Sequence, residues 1–243
     1  DVIVHQYATG DFVLNPVITG STAITKTGAG GLILSGANTF TGAVNITEGF
    51  VRAAGGQGIG DAAPVALKDI AGVGLQLLAS ETIGNLSGGG GAGGNVLLGS
   101  NALTTNVSAN STFSGLLVGN GSLVKQGTAN LNLDTSSSTG FNGSVVINQG
   151  LLQLSGNGIV NLPAVTAITS NVGGSLLIDF NSGTTGSSRI NDAATINLSS
   201  VGNGSFFGVH IRSNQDAGHS ETIGAINLVG GGSTIGVSQA GGT

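Results

Sequence analysis

The sequence predicts an all-β chain wound as a parallel β-helix, a single elongated β-solenoid. Three observations carry that expectation. The first is an internal repeat. Residues 24–51 align with 123–152: Lys26 answers Lys125, Gly28 answers Gly127, and Leu32 and Leu34 answer Leu131 and Leu133. After a two-residue slip, Phe40 and Phe141, Gly42 and Gly143, Val44 and Val145, Ile46 and Ile147, and Gly49 and Gly150 coincide. A period of roughly 100 residues built from short pieces is the mark of a stacked repeat architecture. The second is period-two alternation in very short runs, and the third is glycine-rich punctuation between those runs.

The elements follow in order. Leu32-Ile33-Leu34, Val44-Asn45-Ile46, Leu75-Gln76-Leu77, Leu131-Asn132-Leu133, Leu152-Gln153-Leu154 and Ile196-Asn197-Leu198 each place apolar residues on one face. Gly-Ala-Gly, Ser-Gly-Ala-Asn and Gly-Asn-Gly segments between them supply the positive φ of tight corners. Strands of this length are too short for most sandwiches and suit the faces of a helical coil. At about 22 residues per coil and ~4.8 Å per strand, the chain makes roughly eleven coils along an axis near 50 Å.

One continuous segment over 1–243 is expected, with units of about 1–99 and 100–199 and a partial unit at 200–243. Ile18-Thr19-Gly20 and Leu117-Val118-Gly119 lead into the two copies. Ile59-Gly60-Asp61-Ala62-Ala63-Pro64 parallels Ile159-Val160-Asn161-Leu162-Pro163, and Glu81-Thr82-Ile83-Gly84 returns as Glu221-Thr222-Ile223-Gly224. The glycine string 88–94 reads as a long corner, and 210–221 as a polar loop leaving the helix.

Composition narrows the function classes. Of 243 residues, 46 are Gly and only 7% are charged, against roughly 25% in an average soluble domain. With 39% hydrophobic residues and a net charge of -5, the chain has too much apolar surface and too little charge for disorder. Lys and Arg number 6 against 11 Asp and Glu, which leaves no basic surface for nucleic acid. No apolar run reaches the ~18 residues of a membrane helix, so no membrane insertion by this segment is expected. Cys is absent, removing disulfides and thiolate metal sites. Asp1 opens a strand pattern without a basic n-region, so the chain reads as a mature or internal piece of a longer protein.

Residues 26–42, KTGAGGLILSGANTFTG, followed by Val44-Asn45-Ile46-Thr47-Glu48-Gly49-Phe50-Val51, resemble the autotransporter-associated β-strand repeat. The second copy departs from that pattern: Asp134-Thr135-Ser136-Ser137-Ser138-Thr139-Gly140 stands where Ser-Gly-Ala-Asn-Thr is expected, before Phe141-Asn142-Gly143 recovers it. The resemblance implies a right-handed β-helical passenger from a surface or secreted protein of Gram-negative bacteria, usually exported through a C-terminal β-barrel. This segment lacks the ten-residue alternating strands and aromatic girdles of such a barrel.

Candidate chemistry is sparse. No two carboxylates stand at i, i+2 on one strand face. The most polar stretch holds His210, Arg212, Asp216, His219 and Glu221, and is the expected contact loop. A Ser220-His219-Asp216 triad is available in letters but lacks a nucleophile elbow. The glycine string lacks the Gly-Lys-Ser/Thr ending of a phosphate loop. No cofactor or metal is expected. The leading expectation is a structural segment, namely a stalk, adhesin shaft or self-assembling filament subunit, with self-association into fibres and contact with a glycan or host surface as its partners. The alternatives are a β-helical polysaccharide-degrading enzyme, for which Asp179, Asp192 and Arg189 are the nearest cluster, and a binding module using 210–221.

Overall fold

The computed structural model describes residues 1–134, 138–156, 162–180, 188–199, 208–213 and 219–239. The regular elements among them are strands of three to six residues, all paired in parallel. Eleven strands form the first sheet, from Val2–His5 to Thr234–Gln239, and bound ten turns of the chain. Six form the second, Phe12–Leu14 to Leu117–Gly119, and seven the third, Glu81–Ile83 to Ala225–Leu228. The result is a three-sided β-solenoid. Ten steps of ~4.8 Å give an axis of about 48 Å.

Where a sheet has no named strand, its side of the coil still stacks. In the early coils Thr39 N donates to Ile18 O (3.0 Å) and Thr41 N to Gly20 O (2.8 Å). In the later coils the described residues of the second side meet at isolated bridges, Gly119 to Phe141 and Leu162 to Ile190.

The alternation read from the sequence fills the interior. Leu32, Val51, Leu75, Val96 and Leu117 form one inward column of the second sheet. Leu103, Leu123, Val145, Ile168 and Ile196 form another in the third. All are fully buried, each stabilising the stack by about 1.5–3 kcal/mol. Corner glycines set the distance between coils. A Cβ on Gly121 would run into the carbonyl of Asn101, and one on Gly143 into that of Gly121.

The two repeat copies lie on different faces. Ile24–Thr27 belongs to the first sheet, but its counterpart in Ser122–Gln126 belongs to the third. Gly31–Leu34 is in the second sheet and Leu131–Leu133 in the first; Val44–Ile46 is in the first and Ser144–Ile147 in the third. Every segment has moved by one face. The repeat therefore spans four coils and two further faces, and the second copy is turned by a third of a turn about the axis.

The decayed corner of the second copy keeps its hydrogen bond. In the first copy Asn38 Oδ1 accepts Ile18 N at 2.7 Å, and Nδ2 donates to Gly58 O at 2.7 Å. In the second, Ser138 Oγ accepts Leu117 N at 3.1 Å. The substituted residue thus satisfies the equivalent amide.

Candidate functional site

The polar residues singled out in the sequence converge only in part. The stretch 210–221 is not a loop throughout: Gly208–Ser213 is a strand of the first sheet. Val209 and Ile211 sit in register with Leu176 and Ile178, while His210 and Arg212 take the outward positions between them. Alternation with polar outward residues reads as loop when the inward ones are few. His210 Nε2 pairs with Ser238 Oγ at 2.8 Å. Asp216 lies outside the described residues, and with it the Ser220-His219-Asp216 reading.

Arg212 grips Asp179 with two hydrogen bonds, Nε at 3.1 Å and Nη2 at 2.6 Å. This bond to the carboxylate raises Arg212 above its ordinary value. Gln153 Nε2 donates to the same carboxylate at 2.8 Å. His219 stacks on Phe180 at 4.9 Å, and the Arg189 guanidinium lies over the same ring at 4.9 Å. Arg189 is buried, its Nη2 donating to Gly156 O (2.6 Å) and Asp179 O (3.1 Å). Burial pulls it below its ordinary value, against the carboxylates of Asp179, Glu221 and Asp134. Glu221 accepts the backbone amides of Arg189 (2.6 Å) and Ile190 (3.2 Å).

Asp179 and Asp192, the enzyme-like pair of the sequence, do not share a cleft. Asp179 is buried under Arg212, and Asp192 accepts Ser188 Oγ. What this cluster can do chemically is tie long corners to the stack. The coil that carries it is long in sequence: Leu176 pairs with Val209, against Leu152 with Leu176 one coil earlier. Two open hollows lie elsewhere. One of about 300 Å³ runs between Ala29, Glu48, Gly49 and Ile70. The other, about 210 Å³, is edged by Thr39, Thr41, Gln57 and Asp61. Among the described residues no group of three His, Cys, Asp or Glu could hold a metal ion, and no helix is long and apolar enough to cross a membrane.

The sequence reading missed the interior role of the repeated lysine. Lys26 and Lys125 point inward and are fully buried. Lys26 Nζ donates to the carbonyls of Thr27 (2.8 Å), Gly28 (2.6 Å) and Glu48 (3.1 Å). Lys125 Nζ repeats this with Gln126 (3.0 Å), Gly127 (2.7 Å) and Gln149 (2.9 Å). Each ammonium therefore closes its own corner and the one a coil later, where the ladder has no amide to offer. Burial lowers Lys125 to about 8; it lowers Lys26 too, with Glu48 acting the other way. The signal was parity: each lysine stands two residues after an inward aliphatic, Ile24 or Leu123.

With this geometry in hand, comparisons with known proteins fall into place. The family model described as the passenger-associated-transport-repeat matches residues 24–53 and 123–154. The adhesin BmaC autotransporter of Brucella suis biovar 1 (strain 1330) is 36% identical over 140 residues, 56% of this chain. The chain spans only 4% of that relative's length. No solved structure matches.

Proposed function

We propose that this chain, a passenger-type repeat segment of the autotransporter class, is a structural piece of a surface-exposed or secreted protein of a Gram-negative bacterium. It acts as a stalk or adhesin shaft, holding a distal part away from the cell. One observation carries this reading: the residues shared by the two matched repeats go into the stack. Lys26 and Lys125 close corners, Phe40 and Phe141 fill the core, and the paired leucines and valines line it. Outside the repeat, Glu81, Arg189 and Glu221 are likewise spent on backbone groups of neighbouring coils. The mechanism is mechanical, since parallel ladders in three sheets transmit load along the axis.

The adhesin named above supports placement at the cell surface. Small-angle scattering of the purified segment, with immunogold labelling of cells expressing the parent protein, tests both parts. A rod of about 50 Å and label outside the outer membrane are expected; a compact particle or label confined to the cytoplasm refutes the reading. At the first and last coils of this segment inward-type residues, among them Val2, Phe12, Leu228 and Val237, are exposed; a further coil would cover them, and end-to-end self-association is the finer form of the proposal in which that coil comes from a second copy. Sedimentation that stays monomeric at high concentration removes that form.

A second reading, contact with a glycan or host protein, is favoured by the partly exposed polar side chains of His210, Arg212 and His219. Loops on a rigid scaffold are where binding residues gather. Deletion of residues 214–218 that leaves adhesion unchanged disposes of it.

A further inference from the structure

The structure repeats a second device that the matched repeats do not include. Ile59-Gly60-Asp61-Ala62-Ala63 and Ile190-Asn191-Asp192-Ala193-Ala194 are the same phrase at different heights on the solenoid. Each closes the same turn: Ala63 N donates to Gly60 O (2.8 Å), Ala194 N to Asn191 O (2.9 Å). One coil later each phrase meets a Glu-Thr-Ile-Gly. Gly84 N donates to Ala63 O (2.9 Å) and Gly224 N to Ala194 O (3.1 Å). The glutamates reach back across the step. Glu81 accepts the amides of Gly58 (3.2 Å) and Ile59 (2.9 Å), as Glu221 accepts those of Arg189 and Ile190. Ser188 Oγ touches both Asp192 and Glu221, and the charge of Asp61 acts on Glu81 in the same sense as that of Asp192 on Glu221.

We propose that the Asp61–Glu81 and Asp192–Glu221 pairs are proton-dependent clamps between neighbouring coils, closed in mild acid and loosened above neutral pH. Two carboxylates side by side, one of them withdrawn from water, are unfavourable when both are ionised. Glu81 is almost fully buried. Burial is the largest influence raising Glu81 and Glu221 to about 7; the two amides oppose it, and Asp61 or Asp192 adds to it.

The surroundings offer little compensation. Among the described residues Asp61 is the one charged group that acts on Glu81; the strand Ala102–Asn106 packed on its other side carries no titratable group. Around Glu221 stand Asp192 and Arg189 from the preceding coil and His219 on its own segment. The Arg189 guanidinium is turned toward the carbonyls of Gly156 and Asp179, and His219 is turned onto Phe180.

The sign follows from linkage. An acid whose folded value lies above its unfolded one keeps a proton in the closed state that it releases on opening. Stability is therefore gained below that window and lost as pH rises from about 4.5 to about 7.

Hydrogen exchange on the whole chain tests this at the clamped amides of Gly58, Ile59, Arg189 and Ile190. After correction for the chemical exchange rate, their protection should fall by roughly 70-fold between pH 5 and pH 8. Glu81→Gln should abolish the fall at Gly58 and Ile59 and leave it at Arg189 and Ile190. Flat protection in the unmodified chain, or an unchanged fall in Glu81→Gln, overturns the proposal. Should that variant fail to fold, carbon-13 titration of the glutamate carboxyls in the unmodified chain decides. Midpoints near 7 for Glu81 and Glu221 support the clamps, and midpoints at the ordinary value refute them.

Discussion

Replacing Lys125 by Met tests the buried corner lock. Methionine keeps an unbranched apolar stem but leaves the carbonyls of Gln126, Gly127 and Gln149 without their donor. An orphaned acceptor costs about 1–3 kcal/mol when buried; these carbonyls are only part-buried, so each lies near the low end and the three together cost about 4 kcal/mol. Against this stands relief from a buried charge. A fall from 10.5 to about 8 corresponds to about 3.4 kcal/mol disfavouring the ammonium. The variant should thus lose about 1 kcal/mol at pH 7. The pH dependence is the sharper readout. A lysine with a depressed folded value binds fewer protons folded than unfolded, so stability rises as pH climbs from about 8 toward 10.5. Between pH 7 and pH 10 the unmodified protein should gain about 2.5 kcal/mol from Lys125, and the variant should not. Urea denaturation followed by circular dichroism at both pH values measures the gap, with Lys68→Met, an exposed lysine, as control. A gap that stays constant with pH refutes the burial argument. No gap at pH 7 refutes the role of the three hydrogen bonds.

The remaining predictions concern corners and caps. Gly121→Ala drives a Cβ into the carbonyl of Asn101 and should separate two coils, seen as lost amide protection around Gly99–Ser122 and a lower thermal midpoint. Asn38→Ala strands Ile18 N and Gly58 O and should cost about 3 kcal/mol, whereas Asn38→Ser should recover part of it by the route Ser138 uses; calorimetry of the pair checks the order. Arg212→Ala removes two hydrogen bonds and the opposite charge from the buried Asp179, which still accepts from Gln153. Because Arg212 is itself half open to water, the expected loss is about 2 kcal/mol, read as a shift in urea midpoint.

Much of the fold was legible because the interior is written in period two. Leu131-Asn132-Leu133 and Leu152-Gln153-Leu154 pair residue for residue in the first sheet. The polar device was less legible. A lysine between threonines, as in Ile24-Thr25-Lys26-Thr27, looks like an outward residue until its parity with Ile24 is followed inward. The Glu-Thr-Ile-Gly echo was visible as text, but the amides it caps lie a coil away, at Gly58 and Ile59 or at Arg189 and Ile190. Proximity across coils depends on corner lengths, which vary along the chain. The stretch 208–213 failed for the opposite reason, since its outward His210 and Arg212 masked an ordinary alternation.

The buried charges and the turned repeat have a common physical origin. A coil corner interrupts the ladder and leaves backbone groups pointing at no strand. Side chains from an adjoining coil must then supply the missing partner: an ammonium or guanidinium for stranded carbonyls, a carboxyl group for stranded amides. Lys26, Lys125 and Arg189 take the first role; Glu81 and Glu221 take the second. Such a cap depends on one corner and the next, and not on which face of the shaft it occupies. That explains how the same motif functions at Ile24–Thr27 in the first sheet and at Ser122–Gln126 in the third. Freed from any fixed face, the repeat can advance by four coils and two faces, and three successive copies would bring the motif back to its starting side. The two copies present here thus turn the same motif to two different sides of the solenoid, which supports the proposed stalk over a one-sided catalytic groove.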